Sequence, residues 1–223
     1  MSNPSFNCRK VTDRPSLSGD LTQPPWSSLP PVGELVLSDG SGKPRFGTRV
    51  WCCWDDDRFY VAFDCEDTDI RATLTERDDK VWQEEAVEFF VSTDADLEEY
   101  YEFQFSPRNV VRDIHVHNPH GRMEGSVFDG NWDCEGLRSA VKLDGTLNDP
   151  GKLDRGWSLE AALPLECLLG KGQRAEVGMV WRINFFRIYR WPEEQFNSFS
   201  PTFVEPWEFH VPEYFAHMTL VAP

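Results

Sequence analysis

The chain has no long apolar run. Mean hydropathy is −0.50, and no stretch approaches the roughly 20 apolar residues that a membrane-spanning helix needs. Its first residues, MSNPSFNCRK, lack the apolar segment of an export signal, so the expected location is cytoplasmic, or secreted if the natural start lies further upstream. Positive charge is scarce: 22 Lys and Arg stand against 38 Asp and Glu, a formal net charge of −16. That field repels nucleic acid and anionic lipid, and neither is an expected partner. Six cysteines are present without a Cys-x-x-Cys spacing, and the adjacent Cys52 and Cys53 must point to opposite faces of a strand, so reduced thiols are expected and no zinc site. Cys65 and Cys167 lie in apolar context and read as small core residues. There is no Gly-x-Ser-x-Gly and no phosphate-binding loop, and internal repeats are missing. Carboxylates are too plentiful for Glu84, Glu85 and Glu88 to mark a glycosidase, whose acid and base need a fixed separation across a cleft. Catalysis therefore has no positive signal.

Helical periodicity is nearly missing too; only LECLLGKG at 165–172 reads as a short helical turn. What remains is strand after strand. TRVWCCW at 48–54 and FYVAFDC at 59–65 flank the polar turn DDDR and predict a hairpin. AVEFFV at 86–91 and YYEFQF at 100–105 alternate with period two, as do VRDIHVH, WSLEAALP, VWRINFFRIYRW and MTLV further on. On the strand WRINFF, Trp181, Ile183 and Phe185 should face the core and Arg182 and Asn184 the other side. Many strands without βαβ alternation predict an all-β fold, an antiparallel β-sandwich of jelly-roll-like form. Residues 1–32, rich in Ser and Pro, read as an irregular arm pinned by Trp26, and residues 33–223 as a single domain.

Within VWQEEAVEFF at 81–90, Glu88 sits between Val87 and Phe89 but, by alternation, on the opposite face. Setting core residues opposite core residues pairs Val91 with Tyr101 and Phe89 with Phe103, which places Glu88 opposite Gln104 on the outer face. Trp82 is a flat ring just upstream in a polar segment, and nine Trp are more than a core of this size requires. Rings that stack on sugar C–H faces, together with carboxylates and amides that bond hydroxyls, are what a sugar site needs. A second constellation is Asp113, His115 and His117, at i, i+2 and i+4 on one strand face, a spacing suited to a transition metal. It supports the alternative of a metal-dependent sandwich enzyme.

The succession of blocks VWCCWDDDRFYVAFDCEDTDI, VWQEEAVEFFV, YYEFQFSP, WSLEAALPLECL, WRINFFRIYR and FSPTFVEPWEFHVPEYFAHMTL resembles the family 9 carbohydrate-binding modules over most of residues 45–221. The resemblance implies a non-catalytic β-sandwich that grips a small sugar or a polysaccharide chain end between two aromatic rings, binds calcium structurally elsewhere and can accompany a glycoside hydrolase. It implies that Trp82 is the first stacking ring and Glu88 the carboxylate accepting sugar hydroxyls. The second ring is Phe209, ahead of Pro212 and Phe215, with Trp207 as the near alternative. Where sugar-binding members carry Arg and Asn, this sequence has Gln104 and Ser106, which leaves open a sandwich that has lost its ligand. Acidic clusters at Asp55 to Asp57, Asp64 to Asp69 and Asp94 to Glu99 are the candidate calcium sites.

Overall fold

A computed structural model describes residues 3–94, 97–120, 123–191, 193–204 and 207–223. In chain order the strands are β1 (Ser5–Lys10), β2 (Gly33–Glu34), β3 (Val36–Leu37), β4 (Thr48–Trp54), β5 (Arg58–Glu66), β6 (Ala86–Ser92), β7 (Glu99–Phe105), β8 (Val111–His117) and β9 (Val127–Asp129). They continue with β10 (Arg138–Asp144), β11 (Gly156–Pro164), the short helix α1 (Leu165–Leu169), β12 (Val180–Tyr189), β13 (Gln195–Ser198) and β14 (Ala216–Val221). No helix among the described residues is long and apolar enough to cross a membrane.

Hydrogen bonding runs without a break through β10-β11-β5-β4-β1-β14-β12-β6-β7-β8-β9. The two halves of this curled sheet face each other. One inward cluster takes Val50, Cys52, Phe59, Val61, Phe63 and Leu159 from β4, β5 and β11, and Val87, Phe89, Phe103, Trp181 and Phe185 from β6, β7 and β12. Rings meet edge-on across the interface, Phe59 with Trp181 at 5.6 Å and Phe63 with Phe185 at 6.0 Å, so the sandwich core interdigitates. The hairpin over 48–65 pairs as expected, Thr48 with Cys65 through Trp54 with Phe59. So does β6 with β7: Phe89 lies opposite Phe103, Val91 opposite Tyr101 and Glu88 opposite Gln104. Cys52 joins the inner cluster and Cys53 the outer one, and all six cysteines are free thiols.

Two findings depart from the sequence reading. Ser5–Lys10 is no irregular arm; β1 closes the sheet, paired in parallel with β14 (Phe6 with Met218, Cys8 with Leu220) and with β4 (Arg9 with Cys53). Phe6 and Cys8 point into the core at alternate positions, and that burial overrides a Pro- and Ser-rich composition. The other pairings are antiparallel. Beyond β1, residues 11–29 cover the outer face of β4, β5 and β11: Trp26, Leu17, Leu21 and Leu29 pack on Trp51, Tyr60 and Ala162. Glu160 fixes this cover by accepting from Ser18 N, Gly19 N and Trp26 Nε1, each at 2.6 Å. Gly19 is obligatory there. Its φ is +76°, and a Cβ would lie 2.5 Å from the backbone nitrogen of Lys142.

The second departure is a buried charge. Arg187 on β12 is 0% exposed and sits at one end of the core. Its Nη2 donates to Glu85 at 2.6 Å and Nη1 to the Glu66 carbonyl at 2.8 Å, with Asp67 at 3.4 Å. Burial alone would drive this charge off, yet Cys65, Glu85 and Asp67 hold its pKa above the ordinary value. The predicted split of WRINFF holds: Trp181, Ile183 and Phe185 are core. Asn184, on the other face, is buried with its amide satisfied by the Ser200 backbone, donating to the carbonyl at 2.8 Å and accepting from the N–H at 2.9 Å.

Candidate functional site

The outer face of β6, β7, β8 and β12 carries a second apolar cluster of Phe90, Tyr100, Ile114, Phe186 and Ile188. It is roofed by the segment at 207–215, whose Phe209 stacks on Phe186 (4.2 Å, 16°) and whose His210 stacks on Phe90 (4.9 Å, 29°). Trp207 stacks on Phe196 (3.9 Å, 20°). Between roof and sheet lies a cavity of about 310 Å³, within the size range of small-molecule sites.

Each carboxylate of VWQEEAVEFF has its own role. A single helical turn at Val81–Gln83 buries Val81 and leaves Trp82 half-exposed at the cavity wall. Glu84 accepts from Thr73 N at 2.7 Å; Glu85 serves Arg187. Glu88 turns into the cavity. It is 2% exposed, not solvated as a strand's outer face would be, because the 207–215 segment covers it. Its Oε1 has no hydrogen-bond partner. Beside it on β7 are Glu102 (2% exposed) and Gln104 (3%), joined by a bond from Gln104 Nε2 to Glu102 Oε1 at 2.6 Å. Glu102 Oε2 and Gln104 Oε1 are also without partners. Burial, with the neighbouring Glu102 charge, pushes Glu88 well above the carboxylate range. Burial lifts Glu102 to about 8, against the pull of Arg112 and the Gln104 bond. His210 is held neutral, its pKa lowered by burial to about 3, and its Nδ1 is 2.8 Å from the Tyr100 hydroxyl.

Five of the six residues singled out from sequence, Trp82, Glu88, Gln104, Trp207 and Phe209, line this one cavity. Ser106 does not: it is buried in the turn after β7, where its Oγ accepts from Val110 N at 3.2 Å. Phe209 is 2% exposed with one ring face spent on Phe186, while Trp207 is only half-buried. Sequence reasoning missed Glu102, Arg112, Phe128 and His210. Glu102 was within reach, since it shares a face with Gln104 by strict alternation; Phe128, on the three-residue β9, and His210, on the roofing segment, carry no local signal.

The metal constellation is not brought together. Glu99 takes both imidazoles, His115 Nε2 at 2.7 Å and His117 Nδ1 at 2.5 Å. Asp113, on the same strand face, is fully buried and engaged elsewhere, accepting from Cys134 N at 2.7 Å and pairing with Arg77. The carboxylates that do converge on Asp113 are Asp78 and Asp133, and the Arg77 guanidinium already supplies the positive charge among them. The first two of the three acidic clusters named for calcium are engaged in the same way. Asp55 and Asp57 pair with Arg14, Asp56 with Lys10, Asp64 with Arg49, Asp67 with Arg187 and Asp69 with Arg71. These residues fit calcium poorly; Asp69 Oδ1 is the one carboxylate oxygen of these two clusters that is buried without a partner. Within the third cluster, residues 95 and 96 lie outside the described residues.

Comparison with known proteins agrees with this architecture. The sequence matches Carbohydrate-binding family 9 over residues 31–220. An extracellular protein of Arthroderma benhamiae is 27% identical over 209 residues, covering 88% of this chain and 87% of that one. Among solved structures, a candidate carbohydrate-binding protein of Bacteroides uniformis superposes with a TM-score of 0.75 at 19% identity, over 98% of this chain and 100% of that one. A family 9 carbohydrate-binding module of Caldicellulosiruptor kristjanssonii, solved with cellotriose, gives 0.62 at 15% identity over 98% and 94%. The same organism's family 9 module solved with glucose gives 0.59 at 15%, over 98% and 97%. The β-sandwich is thus shared with these structures, and the chain belongs to carbohydrate-binding family 9.

Proposed function

We infer that this protein binds carbohydrate without cleaving it, holding a small sugar or the end of a polysaccharide chain in the cavity under the 207–215 segment. Family membership supports the ligand class. The observation that carries the reading is a set of three acceptor oxygens, on Glu88, Glu102 and Gln104, buried and unpartnered in a cavity walled by Trp82, Trp207 and Phe90. An unpaired buried acceptor costs roughly 1–3 kcal/mol, so the cavity is made for a ligand rich in donors, and the rings supply faces for its C–H surface. Trp82 and Trp207, the half-buried indoles, are the rings assigned to stacking, Trp207 with one face already on Phe196; the nearly fully buried Phe209 supports the wall.

The test is a calorimetric and tryptophan-fluorescence titration with glucose, cellobiose, xylobiose and longer oligosaccharides. Binding should perturb indole emission. Trp82→Ala and Trp207→Ala should each weaken it by about 1–3 kcal/mol, by analogy with stacking on nucleobases. Glu88→Gln should weaken it too, since the amide puts an NH2 donor where the carboxyl offers a second oxygen. Saturable binding unaffected by all three substitutions would place the ligand elsewhere.

A further inference from the structure

The cavity's polar groups are not balanced between donors and acceptors. Three carboxylates line it, Glu88, Glu102 and Glu208, against one guanidinium, Arg112. Arg112 donates through Nη1 to the Asp78 carbonyl at 2.6 Å and keeps one buried unpartnered donor, Nε, against the three unpartnered acceptors; its charge draws Glu102 down without overcoming burial. The other nearby cation, Arg190, pairs with Glu194 and donates to the Trp82 carbonyl at 2.7 Å, and its pull on Glu88 is outweighed by burial. His210 is uncharged, as described above, and its Nε2 stands 3.7 Å from Glu102 Oε2. The unpartnered atoms of Glu88, Glu102 and Gln104 are all acceptors. Glu88 and Glu102 are diagonal neighbours on the outer face, since Glu88 pairs with Gln104 and Glu102 with Phe90, a placement within reach of a single ligand group.

A neutral sugar can satisfy acceptors, but it brings no positive charge that would let either of these buried carboxyls ionise. An ammonium does both: it brings three donors and the compensating charge. Resting on the carbohydrate reading above, we propose that the preferred ligand is an amino sugar, or a chain end of one, with its ammonium seated between Glu88 Oε1 and Glu102 Oε2 and its ring face against the tryptophans. Because burial and mutual repulsion keep protons on this pair in the free protein, seating an ammonium expels a proton to solvent. A neutral sugar leaves the pair protonated.

The experiment titrates the full chain by calorimetry with glucosamine, glucose and N-acetylglucosamine, in two buffers of different ionisation enthalpy, at pH values below and above the pKa of the amine. Glucosamine in its ammonium form should bind at least tenfold more tightly than the other two, and the advantage should close as the amine is deprotonated. Its apparent enthalpy should differ between buffers while that of glucose does not. In Glu102→Gln, nearly isosteric, and independently in Glu88→Gln, the ratio of glucosamine to glucose affinity should fall towards one. Glucose binding as tightly as glucosamine would overturn the amino-sugar assignment and leave the carbohydrate reading standing. So would a glucosamine preference that survives both substitutions. If none of these sugars or the longer oligosaccharides binds, both readings fall together.

Discussion

Glu102 and Arg187 show how differently a buried charge behaves with and without a partner. For Glu102 the folded pKa of about 8 lies above the ordinary 4.5, so between those values the folded state holds more protons than the unfolded state. Stability tied to this group is therefore complete below about pH 4.5 and is lost as pH rises through 8. Thermal melts across that window should show Glu102→Gln declining less steeply than the parent protein; a parallel decline would mean that Glu102 is ionised in the fold. Arg187 makes the opposite case. Arg187→Met strands Glu85 and Asp67 without their cation and should cost about 3–5 kcal/mol in urea unfolding, of which adding Glu85→Gln should return part, a coupling that a double-mutant cycle reads directly. Neither residue was legible as such from sequence. Glu88 was, because one break in an apolar alternation is a local signal. Glu102 hid in a segment already polar on that face, and the Arg187 cluster joins positions near 67, 85 and 187, whose proximity only the folded sheet creates.

At the scale of elements, register could be read wherever two strands are joined by a short turn and both have an apolar face. β4 with β5, and β6 with β7, are such pairs, and a one-residue slip in either would turn Phe rings out to solvent. β1 has no such neighbour. Its six residues, SFNCRK, hold two apolar side chains and pair with strands remote in sequence, so composition pointed the wrong way. The consequence is testable: a chain lacking residues 3–10 loses the strand between β4 and β14 and should fail to give a cooperative unfolding transition. Phe6→Ala, which leaves the backbone pairing intact and removes a half-buried ring, should still fold and cost about 2 kcal/mol, below the usual range for a fully buried Phe. A deletion as stable as the parent would show that β4 and β14 close on each other directly.

Across the whole molecule, negative charge is abundant but often locally answered: two of the three acidic clusters that suggested calcium meet Arg or Lys side chains at close range. An ion that bound the folded chain would raise its melting temperature; excess chelator is expected to leave the melting temperature unchanged, and a fall of several degrees would restore the calcium assignment. The placement of β1 has a further effect on how this molecule comes into being. During synthesis Ser5–Lys10 emerges well ahead of Ala216–Val221, its principal partner, with the rest of the sandwich between them. Pairing so non-local is slow to form. A nascent chain halted before residue 216 would hold every residue of β4 to β12 and still have an open seam in its sheet. The ribosome-bound intermediate should therefore stay sensitive to protease until Ala216–Val221 has left the ribosome, making the arrival of this one strand the event that permits the sandwich to close.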